Sequence, residues 1–197
     1  DGNGDYVETP NVLESEDNFT ISLKVYREGE GIENEFIWNN HISKYTALQF
    51  QDGTLRGFAR SQGNNYRIVQ QANLLDNTWY DVVFVVSQEH NFIRLYVDGQ
   101  HIEEEFWDGS WANGSIATEG FGGYTQDHHS LNGFIKDVTI WNEAFSNILI
   151  ENIDFNVLSN TEPNSVVGKY NFGIGNGNTL IDASGNNNLF SITNLLG

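Results

Sequence analysis

The chain predicts an all-β fold, a two-sheet antiparallel sandwich, and three observations carry that expectation. Short runs rich in Val, Ile, Phe, Tyr and Thr recur along the 197 residues, separated by Gly, Asn and Asp turns. Aromatic residues make up 13% of the chain, a composition that favours strands. Helical spacing of apolar residues is confined to Asn142–Asn156. The length is ordinary for one large sandwich, so residues 1–197 read as one domain.

Strands are expected at Phe19–Tyr26, Glu35–Asn39, Tyr45–Gln51, Thr54–Ser61 and Tyr66–Gln70. Further strands are expected at Trp79–Ser87, Phe92–Val97, Gly114–Gly122, Gly133–Trp141, Val166–Phe172 and Leu189–Thr193. Asp52-Gly53 and Asp98-Gly99 suit tight hairpins, because both residue types accept positive φ. Alternation assigns the faces. Ile93, Leu95 and Val97 share one face, and Phe92, Arg94 and Tyr96 the other. Likewise Arg56, Phe58 and Arg60 oppose Leu55, Gly57 and Ala59. In Asn142–Asn156, Phe145, Ile148, Leu149 and Ile153 form a helical stripe that Ser146 can cap. One short helix or turn is expected there. The Asn- and Gly-rich Gly173–Asn188 reads as a long loop.

Composition narrows the chemistry. There are no Cys, which removes disulfides, zinc-thiolate sites and thiol nucleophiles. A chain starting at Asp1 is expected to be a processed chain or an excised module. The formal charge is −18, from 27 acids against nine Lys and Arg. Such a surface repels nucleic acid, because little is available to displace phosphate counterions. It also opposes broad docking of a densely sulfated or carboxylated polymer, while leaving a local basic groove open. No apolar run approaches membrane-spanning length, so no membrane insertion is expected.

Several segments, in order, carry a family likeness. They are DGNGDYVETP (Asp1–Pro10) with FTISLKVY (Phe19–Tyr26), TWYDVVFVV (Thr78–Val86) with IRLYVDGQHI (Ile93–Ile102), LNGFIKDVTIWNEAFS (Leu131–Ser146), and the tail Val167–Ile192. Together they resemble the bacterial laminin-G-like domains of the concanavalin A-like lectin/glucanase superfamily, over nearly the whole chain. The resemblance implies a jelly-roll sandwich in a secreted or cell-surface protein. It places Trp79 and Trp141 in the core. It also implies a structural calcium, with ligands from Asp1, a group within Gly29–Glu35, and Asp137. Lys136 departs from the neutral residue that the family usually has before that Asp. Asp1, Asn3 and Asp5 have calcium-loop spacing, but Tyr6 and Val12 stand where an EF-hand needs Gly and Glu.

The fold hosts enzymes as well as binding modules. Glycosidases that share it carry E-x-D-x-x-E on one strand, which this chain lacks. Glu103-Glu104-Glu105 reads as a solvated loop or edge. No G-x-S-x-G, phosphate loop or H-E-x-x-H occurs. His128-His129 is the one histidine cluster; neighbours on a strand face opposite ways, but from a loop one can contact a ligand.

A sugar site combines an aromatic plate with planar polar groups. Trp107 and Trp111 lie in FWDGSWANGS, a polar, Gly-rich segment, and with Trp38 they are the expected plate; alternatively they fold back over a sheet edge. Arg56 and Arg60, with Tyr66 on the following strand, are the expected polar partners. The alternative for the arginines is salt-bridging to the abundant carboxylates. Three functions stay open. The first is a non-catalytic carbohydrate-binding module that recognises a polysaccharide or oligosaccharide, part of a polysaccharide-degrading enzyme. The second is an adhesion domain. The third is a catalytic jelly roll with an unfamiliar carboxylate pair.

Overall fold

The computed structural model describes residues 6–13, 17–29, 34–40, 44–63, 65–112, 119–123, 129–152, 164–175, 179–186 and 190–193. Among them the strands are β1 (Tyr6–Thr9), β2 (Asn18–Arg27), β3 (Asn34–Asn40), β4 (Thr46–Gln51), β5 (Thr54–Arg60), β6 (Tyr66–Gln71) and β7 (Trp79–Ser87). They continue as β8 (Phe92–Val97), β9 (Gln100–Phe106), β10 (Glu119–Phe121), β11 (Gly133–Trp141), β12 (Val166–Gly175), β13 (Thr179–Asp182) and β14 (Phe190–Thr193), with one helix, α1 (Asn147–Asn152).

The hydrogen-bonded order is β6-β5-β4-β3-β10-β1-β14-β13-β12-β11-β2-β7-β8-β9. Each of these strand pairings is antiparallel. The ladder folds over into a two-layer sandwich. At the far side the two end strands approach each other, and the Gln70 N–H of β6 donates to Glu103 Oε2 of β9 at 2.7 Å. The acidic stretch is therefore an edge strand, and one carboxylate caps an otherwise open edge amide.

The core lies between the layers. Ile37, Trp38, Leu48, Leu55 and Val69 from one layer meet Ile21, Leu23, Val82, Phe84, Ile93 and Leu95 from the other. Gly57 lies in this contact, and a Cβ there would lie 2.6 Å from the Phe84 ring. A second cluster under α1 holds Val83, Val85, Phe92, Tyr96, Trp141, Phe145 and Ile150. The faces read from alternation are the observed ones: Ile93, Leu95 and Val97 join the first cluster, Phe92 and Tyr96 the second. Asp52 and Asp98 have φ of 50° and 49°, as the hairpin reading requires.

Some expectations are corrected. Strands β1, β9 and β13 lie outside the expected set, and β12 and β13 occupy much of the stretch read as a loop. Within Gly114–Gly122 the described part is β10. The expected short helix is α1, which begins after Ser146, whose Oγ accepts from the Leu149 N–H at 3.4 Å; residues 153–156 lie outside the described residues. Trp79 is not a core residue: it is 39% exposed. On β7 it shares parity with Asp81, Val83 and Val85, the outer face, whereas Val82, Phe84 and Val86 point inward.

Glu35 and Glu119 are fully buried carboxylates of the interior. Glu35, fully buried, receives Arg27 Nε at 2.9 Å, and Arg27 Nη1 reaches Asp76 at 2.8 Å. This clamp joins β2 of one layer to β3 of the other. Burial raises the Glu35 carboxyl above its ordinary value despite Arg27. Glu119, also fully buried, accepts from Asn40 Nδ2 at 3.2 Å. Burial pushes its carboxyl up to about 8, against the opposing pull of the Trp38 indole, the Val12 and Leu13 backbone and Lys44.

A raised carboxyl favours the folded state while protonated. Its contribution is complete below the unfolded value and is lost as pH rises through the folded value. Glu119 should therefore lower stability as pH climbs from 4.5 towards about 8. The Glu119→Gln variant should show a shallower fall in Tm over that range than the parent. Parallel Tm profiles for the two proteins would contradict this reading.

Candidate functional site

The outer face of β3 to β6 forms an open cleft of about 420 Å³. Strand pairing builds it in rows. Ala47, Phe58 and Ile68 stand opposite one another on β4, β5 and β6, and Gln49, Arg56 and Gln70 form the next row along the strands. Phe36, Ala47 and Phe58 make a buried apolar floor, with Tyr45 packed against it. Tyr66 and Ile68 rise from it, 43% and 39% exposed.

The rings of Tyr45, Phe58 and Tyr66 are mutually packed, with centroids 5.6–6.1 Å apart. The Arg60 guanidinium lies over Tyr45 at 4.6 Å and Tyr66 at 5.2 Å. That contact holds the two phenols through cation–π attraction. Arg56 Nε donates to Gln70 Oε1 at 3.1 Å, and its Nη1 donates to Gln51 Oε1. At the opposite wall, His129 Nδ1 lies 3.2 Å from the Asn34 carbonyl oxygen. That nitrogen must carry the hydrogen, since a carbonyl only accepts. The His129 ring also packs edge-on against Phe36 at 5.7 Å. Asn34, Gln49 and Gln51 complete the polar lining, and no carboxylate belongs to it among the described residues.

The expected residues divide. Arg56 and Tyr66 line the cleft, and Arg60 braces its tyrosines. Trp38 and Trp107 are fully buried, so the expectation of an exposed plate there is corrected. The bulge between Phe36 and Trp38 is the reason for the first: strict alternation would put both on one face, but Phe36 points to the cleft while Ile37 and Trp38 enter the core. The second follows from a turn. Gly109 has φ of 74° and Ser110 N–H donates to Asp108 Oδ1, which folds the segment back over the end of the core. Trp111 is partly buried, its ring 4.2 Å from Trp107 and stacked on Phe19 at 6.3 Å. Gly109 and Ser110 serve this turn, while residues 113–115 lie outside the described residues.

Sequence reasoning overlooks Phe36, Tyr45, Gln49, Gln51 and Ile68. The usable signal is parity, since in register they fall on the face of Arg56 and Phe58. It also misses a second exposed aromatic group, on the outer face of the other layer. There Trp79 pairs with Tyr26, which pairs with Phe134, at centroid distances of 5.4 and 5.8 Å. Lys136 lies 3.9 Å above Trp79.

Of the residues expected to hold calcium, Asp137 and part of Gly29–Glu35 are described, while residues 30–33 lie outside the described residues. Asp137 is exposed on the β11 bulge with φ of 55°, and Glu35 is engaged by Arg27. Among the described residues no three acidic or histidine side chains gather to hold a metal ion. Asp1 and His128 lie outside the described residues.

A family model described as the concanavalin A-like lectin/glucanases superfamily, of laminin-G type, matches residues 1–150, and the chain belongs to that family. No curated protein matches it by sequence. Among solved structures, a candidate carbohydrate-binding protein from Bacteroides ovatus aligns with TM-score 0.74 and 16% identity. That alignment covers 98% of this chain and 57% of the Bacteroides protein, so the chain spans little more than half of its length. A pentraxin from Limulus polyphemus aligns at TM-score 0.54 and 15% identity, covering 77% of this chain and 82% of its own. A sialidase from Streptococcus pneumoniae aligns at TM-score 0.59 and 19% identity, covering 71% and 24% respectively. At these identities the likeness is one of fold.

Trp38 and Trp107 are core residues, so their loss should appear as instability. Trp107→Ala should cost about 3–5 kcal/mol in denaturant unfolding, the usual range for emptying a buried aromatic site. A variant as stable as the parent would show that Trp107 does not pack as described.

Proposed function

We propose that this member of the concanavalin A-like superfamily is a non-catalytic module that binds a saccharide in the cleft on the outer face of β3 to β6. The observation that carries the reading is the lining itself. Partly exposed Tyr66 and Ile68 stand over a floor of Phe36 and Phe58, ringed by Asn34, Gln49, Gln51, Arg56 and His129. A pyranose presents the matching surfaces: apolar C–H faces for the rings and hydroxyls at its edge for amides and guanidinium. Apolar area supplies affinity, while a few fixed polar groups supply orientation. The Gln51 and Gln70 contacts hold Arg56 in place, and Arg60 holds both tyrosines, so little side-chain freedom remains to be lost on binding.

The absence of hydrolysis belongs to the same proposal. Glycosidases need two carboxyl groups flanking the bond, roughly 5–5.5 Å apart in retaining enzymes. The described lining offers amides, phenols, an imidazole and a guanidinium instead. The candidate carbohydrate-binding protein among the structural relatives is consistent with this assignment. A module of this kind would hold a larger secreted protein on its polysaccharide.

Tyr66→Ala tests the site with little risk to the fold, because the side chain is 43% exposed. It should weaken retention on a polysaccharide that binds the parent by about 1.5–3 kcal/mol, the scale for covering a large apolar side chain. The same incubations should release no new reducing ends. Parent-like retention of a normally folded Tyr66→Ala protein, or depolymerisation of the glycan by the parent, would overturn the proposal.

A further inference from the structure

Cations are scarce in this chain, and three of them are held by carboxylates. Lys24 pairs with Asp81, Arg27 with Glu35 and Asp76, and Arg94 with Glu104. Arg56 differs. It stands in the cleft wall, and its described hydrogen bonds go to two neutral amide oxygens, Gln70 Oε1 and Gln51 Oε1. Among the described residues, its Nη2 and the second Nη1 hydrogen have no acceptor. No carboxylate lines the cleft around it among the described residues, in a chain with 27 acids. Glu103 reaches this edge, where its Oε2 accepts from the Gln70 backbone N–H, but it forms no ion pair with Arg56 and does not line the cleft.

Amide oxygens orient a guanidinium without neutralising it. A neutral sugar laid across Arg56 would strip its water and return only dipoles, leaving the charge poorly compensated. An anion would return charge-assisted bonds in the planar geometry that Arg favours. We infer that the saccharide taken by this cleft carries an anionic group, a carboxylate or a sulfate ester, seated at Arg56. The inference rests on the saccharide reading of the cleft. It also limits the density of charge on the ligand. The chain's net charge of −18 opposes a continuous polyanion, while screening over about 8 Å at physiological salt confines that repulsion. The fitting ligand is a short acidic oligosaccharide, or a neutral glycan with isolated acidic residues.

Matched probes that differ only in charge give the test. They are trigalacturonate and its methyl ester, glucuronate-substituted xylo-oligosaccharide and its carboxyl-reduced form, and a sulfated galacto-oligosaccharide and its desulfated form. Calorimetric titration of the intact protein should show at least one acidic probe binding roughly tenfold or more tighter than its neutral partner. Whether the carboxylate or the sulfate pair responds identifies the group. Arg56→Gln should abolish that preference, so that the acidic probe binds no tighter than its neutral partner; Arg56→Lys, which keeps the charge but loses the planar fork, should restore part of it. The comparison on the parent protein stands even if Arg56→Gln folds poorly. Neutral probes binding as tightly as their acidic partners would overturn the inference and leave the saccharide site standing. No binding by any probe or by neutral polysaccharides would overturn both.

Discussion

The contact between Gly57 and Phe84 constrains both faces of the first layer. Phe84 sits mid-strand in β7, paired with Ile21 on one side and Leu95 on the other. Its ring fills the space that any side chain on Gly57 would need. The neighbours of Gly57 on β5, Arg56 and Phe58, must then point away from the core, into the cleft. A slip of one residue would turn Leu55 and Ala59 to solvent and Arg56 and Phe58 inward. Because β5 is paired along its length with β4 and β6, that register also sets Gln49, Tyr66 and Ile68. Core packing and site geometry are two faces of one set of hydrogen bonds.

Charge follows the same logic of two faces. Arg27 lies over the Phe50 ring at 5.4 Å and joins the layers through Glu35. Such a pair adds little net stability over an apolar replacement, but removing one member leaves a buried charge without compensation. The clamp therefore resists separation of the layers at that point. On the cleft side, Arg56 has been given orientation without neutralisation. That contrast between a satisfied interior arginine and an oriented one at the cleft gives the surface its chemical character.

Much of the fold is legible in the sequence because alternation and turn chemistry are local. Asp52-Gly53 and Asp98-Gly99 mark hairpins, and Leu55, Gly57 and Ala59 mark an inner face, on residue type and spacing alone. The bulge in β3 is not legible, since nothing in EFIWNN announces that Ile37 and Trp38 both turn inward. Trp107 misleads for a related reason: small polar neighbours serve a folded-back turn as well as a binding loop. Trp79 is readable by parity with Asp81, but the family likeness argues the other way. Arg56 and Tyr66 can be found because charged and aromatic residues on one strand face stand out. Gln49 and Gln51 join them through the pairing of β4 with β5, and His129 through the bond from the Phe36 N–H of β3 to its carbonyl, long-range facts that local periodicity does not contain.

The central claim is that a saccharide occupies the outer face of β3 to β6. Nitrogen-15-labelled protein titrated with an oligosaccharide that binds it would test this most directly, through the backbone amide shifts. The account predicts perturbations concentrated at Gln49, Arg56, Phe58, Tyr66, Ile68 and His129, with little change at Tyr26, Trp79 and Phe134. Perturbations centred on Tyr26, Trp79 and Phe134 would contradict it and move the binding surface to the opposite layer.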